Sequence, residues 1–263
     1  MDPNLRKTFL SSQTVDGERP TSRLPGWRWM FPTSRARWST RFEEEIYSWF
    51  DAYSLTDINE RSNLQLPCLR ESVVDILQVI ESGTEMLDGR ASRIYIGGIS
   101  QGMATPLWWL LCCAVLGRHQ EPIGGFLGFC DWLPFANLLE SLNEQLHDDQ
   151  SLELGLTLGS IKELLVEMFP NIESLQVTQS VDAHGRPFTI STPIFLSHGT
   201  DDIWVPVELG RQAARVIKKL ANHVEWNEFT GAEEEGHWIK EPGGFDRIIQ
   251  FIEKQLEHKR ESK

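Results

Sequence analysis

Short apolar runs rich in β-branched and aromatic residues alternate along the chain with longer stretches of helical period. The short runs predict strands at 27–32 (WRWMFP), 92–98 (SRIYIGG), 123–130 (IGGFLGFC), 192–199 (TPIFLSHG) and 223–229 (HVEWNEF). Spacings of three and four put Leu69, Val73, Ile76, Leu77 and Ile80 on one helical face, and Leu209, Ala213, Val216, Ile217 and Leu220 on another. Phe245, Ile248, Ile249, Ile252 and Leu256 mark a C-terminal amphipathic helix by the same rule. The stretch opening at Gln101 is apolar almost all round, through Met103, Leu107, Trp108, Leu110, Leu111 and Val115, and predicts a central buried helix. Pro106 falls in its early turns, where amides lack intrahelical partners anyway.

Strands alternating with helices predict an α/β fold around a mainly parallel sheet flanked by helices. No repeat or low-complexity linker divides the 263 residues, so one domain is expected over 1–263, with an irregular segment at 1–26. Between the third and fourth predicted strands, residues 136–191 carry helical patterns at Leu138, Leu139, Leu142 and Leu146 and at Ile161, Leu164, Leu165, Met168 and Phe169. A lid or substrate-side insertion and extra helices packed on the sheet both fit that stretch.

A net charge of -13 argues against nucleic acid or an anionic membrane surface as partner, because phosphate binding needs a basic patch. Cys68, Cys112, Cys113 and Cys130 show no metal-finger spacing and sit in apolar surroundings, as buried reduced thiols do. Neither a signal-peptide core nor a membrane-length apolar run is present, so a cytoplasmic location is expected. The C-terminal RESK stops one residue short of a peroxisomal Ser-Lys-Leu address, which leaves the peroxisome as an alternative.

The chemistry begins at GGISQGMATPL, 97–107, where Gly98-Ile99-Ser100-Gln101-Gly102 fits the G-x-S-x-G elbow that exposes a serine between a strand and a helix. A serine hydroxyl becomes a useful nucleophile when a histidine takes its proton and a carboxylate fixes that histidine's tautomer. FLSHGTDDIWVP supplies Asp201 and Asp202 after a later strand, and FTGAEEEGHWIKEP supplies His237 before the last helix. The order Ser, Asp, His is that of α/β-hydrolases. The other histidines are less well placed, and His198, which precedes the acid, reads as a turn-shaping residue.

GGISQGMA, CDWLPF, HGTDDIWVP and EEEGHW together resemble the phospholipase/carboxylesterase family of α/β-hydrolases, which includes acyl-protein thioesterases. WRWMFPTSR and SWFD, 48–51, are similar to family segments too, and GGISQGMA in place of G-F-S-Q-G-G resembles the fungal branch. By position, the resemblance implies Ser100 as nucleophile, Asp202 as the acid and His237 as the base. Asp201 occupies a variable position, and the backbone amide of Gln101 is the implied oxyanion donor.

The implied activity is hydrolysis of carboxylic esters or thioesters of an apolar acyl or small aromatic substrate through an acyl-enzyme. No metal or cofactor is implied, and the chain is expected as a monomer or weak homodimer acting on a small-molecule or lipid substrate. WLP matches the family's substrate-side loop, which makes Trp132 and Leu133 expected substrate-binding residues, with Trp204 beside the acid and Trp238 beside the base. A narrower implication is a pathway esterase in fungal secondary metabolism.

Family members also carry an early strand ending in an H-G-x-G turn, which residues 1–26 do not contain. One oxyanion donor would then have to come from elsewhere, and losing such a donor costs about 10²- to 10³-fold in turnover. Loss of the strand would also leave apolar strand edges to pair or stay exposed. This departure keeps a second reading open, a truncated hydrolase-fold protein that binds without turnover.

Overall fold

The computed structural model describes residues 5–116, 121–144, 161, 163–170 and 189–261. Its centre is a parallel sheet in the order β3-β4-β5-β6, formed by Tyr95–Ile99 (β3), Gly125–Phe129 (β4), Ile194–Gly199 (β5) and Val224–Phe229 (β6). β4 and β5 are buried along their whole length, as expected of interior strands covered on both faces. Helices Gln65–Met86 (α3), Gln101–Leu116 (α4) and Val207–Leu220 (α6) pack into one core with Phe126, Ile194 and Leu196 of the sheet. Helix Gly243–Glu261 (α7) covers the opposite face against Leu127, Phe129 and Phe195. The α/β-hydrolase architecture expected from the sequence is therefore present, with Leu69, Val73, Ile76, Leu77 and Ile80 buried on α3 as their spacing predicts.

Two expectations need correction. The segment 1–26 is not irregular throughout, because Leu5–Ser11 and Pro20–Arg23 are helical. WRWMFP forms no strand: residues 27–32 are irregular, alternating between half-buried and exposed without a ladder partner. Trp27 packs on Tyr95 at 4.9 Å, and Trp29 and Phe31 pack on Phe9 of α1 (Leu5–Ser11) at 5.4 and 5.9 Å. Aromatic contacts thus take the place of backbone pairing. Conversely, an antiparallel hairpin absent from the sequence reading joins β1 (Ala36–Ser39) to β2 (Glu44–Tyr47), pairing Trp38 with Glu45. Among the described residues, no strand pairs with the outer edge of β3.

In the stretch after β4, helix α5 (Ala136–Glu144) buries Leu139 and leaves Leu138 exposed, while a further helical stretch spans residues 163–168. Ile161, Leu165, Met168 and Phe169 join the core, and Phe169 lies 5.4 Å from Trp108. Leu146 lies outside the described residues.

Candidate active site

The elbow is made by a glycine and a positive φ. A Cβ on Gly98 would meet the carbonyl oxygen of Gly102 at 2.5 Å, so only glycine lets β3 run this closely into α4. Ser100 takes φ 55°, the strained turn conformation that lifts a nucleophile off the end of its strand. Its amide donates to the Phe129 carbonyl at 3.0 Å, pinning it to the carboxyl end of β4. The carbonyl of Ser100 accepts from Met103 and Ala104, so the amide of Gln101 falls in the first turn of α4, where helix amides lack intrahelical acceptors.

The side chain of Gln101 has its own task. Its Oε1 accepts from the Trp49 amide at 3.0 Å and its Nε2–H donates to the Phe50 carbonyl at 3.2 Å. The Trp49 carbonyl in turn accepts from Ser72 Oγ at 2.5 Å, and Asp51 accepts from the Thr40 amide at 3.1 Å. The SWFD segment therefore ties the hairpin and α3 to the residue beside the nucleophile.

Asp202 and His237 meet directly. His237 Nδ1–H donates to Asp202 Oδ2 at 2.7 Å, while Asp202 Oδ1 accepts the amides of Trp204 and Val205, each at 2.9 Å. The carboxylate is fully buried and the imidazole 18% exposed, so the base has access to solvent while the acid does not. Burial alone would push the Asp202 carboxyl up, but hydrogen bonds from His198, His237 and the Val205 amide outweigh it and hold the group well below the usual carboxylate range. Asp201 faces away and accepts the Gly231 amide at 2.8 Å. Among the described residues Ser100 Oγ has no hydrogen-bond partner, so two of the three expected residues are joined and the serine is not bonded to the histidine; catalytic contacts in unliganded enzymes are often loose in this way.

The acid and base loops touch backbone to backbone. A Cβ on Gly236, which has φ 85°, would lie 2.7 Å from the Asp201 carbonyl carbon and oxygen. The Ile203 amide donates to the Glu235 carbonyl at 3.3 Å. Below them Cys130 is buried, its S–H directed at the Gly236 and Trp238 carbonyls at 3.7 and 3.8 Å. Burial pushes this thiol well up, so it is a protonated brace under the His237 loop.

The four apolar residues expected to bind substrate fall in different settings. Trp132 and Leu133 are buried in the core, Trp132 against Phe50 at 5.7 Å; Trp238 is buried against the α7 face, and Trp204 is 54% exposed beside Asp202. One buried group near the acid, the Asp131 carboxyl, escaped the sequence reading, and His198, expected to shape the turn, is a buried imidazole on the Val205 carbonyl beside Asp202. Asp131 stands within the CDWLPF segment and His198 in HGTDD, but their burial is decided by the packing of β4 and β5.

The phospholipase/carboxylesterase family model matches residues 174–256, which include Asp202 and His237. Acyl-protein thioesterase 1 of Gibberella zeae is 28% identical over 181 residues, covering 69% of this chain and 54% of that protein. Acyl-protein thioesterase 1 of Emericella nidulans is 28% identical over 131 residues, 50% of this chain and 36% of the other, so the chain spans about half or less of the length of these relatives. The crystal structure of Arabidopsis thaliana SOBER1 matches with a TM-score of 0.57 at 20% identity, covering 94% of this chain and 95% of that one, a likeness of fold. Over residues 174–256 the chain is similar to the phospholipase/carboxylesterase family, and over most of its length it shares the α/β-hydrolase fold.

Proposed function

We propose that the protein is a serine hydrolase that cleaves carboxylic esters or thioesters of an apolar acyl or small aromatic substrate. The observation that carries this reading is the 2.7 Å hydrogen bond from His237 Nδ1 to the buried Asp202 carboxylate, with Ser100 on a positive-φ elbow at the same end of the sheet. His237 Nε2 takes the proton of Ser100 Oγ as the oxygen attacks the substrate carbonyl carbon. The Gln101 amide, at the positive end of α4, stabilises the oxyanion. Collapse breaks the ester or thioester bond, and His237 returns the proton to the departing alcohol or thiol. Water then enters and attacks the acyl carbon as His237 takes its proton, and His237 hands that proton to Ser100 Oγ as the acid leaves.

Trp204, exposed beside Asp202, is the apolar contact for substrate in this reading, while Trp132, Leu133 and Trp238 back the site from the core. Their apolar character favours an acyl or aromatic group over a sugar or phosphate. The finer reading, a pathway esterase in fungal secondary metabolism, draws on the motif resemblance and is tested by comparing small aromatic esters with an acyl-chain series.

A fluorophosphonate probe is expected to label the protein at Ser100, with labelling lost in Ser100→Ala. Folded wild-type protein that takes no label and releases no acid from activated esters would sink the proposal. A second reading, a binding protein without turnover, rests on the H-G-x-G turn that residues 1–26 do not contain, and its signature is saturable ligand binding with no hydrolysis.

A further inference from the structure

Cys130 adds a third polar side chain to the acid and the base. Its Sγ, a carboxylate oxygen of Asp202 and a ring nitrogen of His237 all lie within 4.8 Å of one another. Among the described residues, no other three side chains of the His, Cys, Asp and Glu types converge in this way. Three strands deliver them, since Cys130 follows β4, Asp202 follows β5 and His237 lies in the segment after β6. Cys130 leaves its strand at φ 47°, with its amide donating to the Ser197 carbonyl at 2.9 Å. The turn puts its sulfur beneath the Gly236 and Trp238 carbonyls, one on each side of His237 in the chain.

The spacing is close to that of a four-coordinate metal centre. Bonds of about 2.3 Å to sulfur and about 2.0 Å to nitrogen or oxygen set tetrahedral ligands about 3.3–3.6 Å apart. The Nδ1–Oδ2 pair, now at 2.7 Å, has to open by about half an ångström, and the sulfur has to close by about 1.2 Å at most. Support for the carboxylate is already in place. Asp202 Oδ1 accepts the Trp204 and Val205 amides, which leaves Oδ2 to coordinate, and His198 Nε2 lies 3.4 Å behind it.

We propose that Cys130, Asp202 and His237 form a binding site for one divalent transition-metal ion of the zinc class, and that its occupation switches the base off. A thiolate, an imidazole and a carboxylate together suit zinc over magnesium or calcium, which take oxygen ligands. His237 is the member open to solvent, so the ion enters past its ring, and water from that side supplies the fourth ligand.

The protons balance. The metal replaces the proton of the Cys130 thiol, which passes to water, and the imidazole proton moves from Nδ1 to Nε2, so that His237 stays neutral and one proton is released. Burial and the neighbouring Asp202 carboxylate push the free thiol up, but a coordinated dication reverses that local field. With Nε2 protonated, His237 has no lone pair to offer Ser100. This loss of activity rests on the reading of His237 as general base, whereas the metal site does not.

The test uses the untagged full chain, stripped with EDTA and then titrated with zinc or cobalt. Elemental analysis after gel filtration is expected to give one zinc per chain, and cobalt to give a thiolate-to-metal charge-transfer band in the near ultraviolet. Cys130→Ser keeps a hydroxyl beneath the two carbonyls but removes the soft ligand. It should lose the band and bind zinc at least about tenfold more weakly. Hydrolysis of an activated ester by wild type should fall with zinc occupancy and return on chelation. Wild type that retains no zinc, cobalt bound without the sulfur band, or Cys130→Ser that binds zinc as tightly as wild type would overturn the site. Where Cys130→Ser does not fold, Cys130→Ala takes its place, and the wild-type cobalt spectrum reads sulfur ligation in any case. Stoichiometric zinc with the sulfur band in a protein that hydrolyses no ester, before or after chelation, leaves the site standing and sinks the hydrolase reading. Hydrolysis that zinc occupancy does not touch keeps the hydrolase reading and overturns the switch.

Discussion

His237 and Asp202, 35 residues apart in sequence, share a 2.7 Å hydrogen bond whose acceptor oxygen is wholly buried. That burial makes the carboxylate an orienting group, and it fixes which imidazole nitrogen carries the proton: Nδ1 donates to Asp202, and in the proposed hydrolysis Nε2 is the base. Asp202→Asn is expected to reverse that tautomer with little loss of packing. Turnover should fall by about 10⁴-fold while a substrate analogue still binds, as read by steady-state kinetics and calorimetric titration.

Asp131 predicts a stability dependence opposite to that of Asp202. Its folded pKa is raised to about 6 from 3.8, so its favourable contribution is full below pH 3.8 and is lost as pH rises through about 6. For Asp202, held below the usual range, the favourable contribution is present above about 4 and lost as pH falls through its lowered pKa. Denaturant titrations at pH 5 and 7.5 should show Asp131→Asn gaining relative to wild type at the higher pH, by about 1.4 kcal/mol. Equal differences at both pH values would contradict the assignment.

Gln101→Ala should weaken the fold as well as the site. It leaves the Trp49 amide and the Phe50 carbonyl without their partners, at a cost of about 1–3 kcal/mol. The measurement is the urea midpoint at unchanged m-value.

Gly236→Ala meets both a positive φ and the Asp201 carbonyl, with a strain of about 1–3 kcal/mol. Because His237 is the next residue, kcat/KM should fall along with the thermal midpoint. A variant with a lowered midpoint and full activity would show that the loop relaxes without moving the imidazole.

Much of this arrangement is legible in the sequence because it rests on local pattern. β3 to β6 announce themselves as short apolar runs, and α3, α6 and α7 as three-and-four spacings, since each buries one continuous face. The order of Ser100, Asp202 and His237 is legible because each follows a strand.

The β1–β2 hairpin is not, because Glu44 and Glu45 face water and only Ser39 of its two strands is buried, which leaves no alternation to read. WRWMFP misleads for the converse reason: its alternation has the period of a strand, but tertiary aromatic contacts, invisible in one dimension, satisfy it. His198 and Asp131 depend on which residues of β4 and β5 lie side by side, and composition carries no trace of that register.

The interlocked loops around Gly236 bear on how the site can move. The Ile203–Glu235 and Asp201–Gly231 hydrogen bonds and the Cys130 brace tie the acid and base segments to each other and to the end of β4. Asp202 and His237 therefore travel as one mechanical piece. In the proposed hydrolysis, bringing Ser100 to His237 Nε2 therefore falls to the elbow, which Gln101 ties to the Trp49–Phe50 segment.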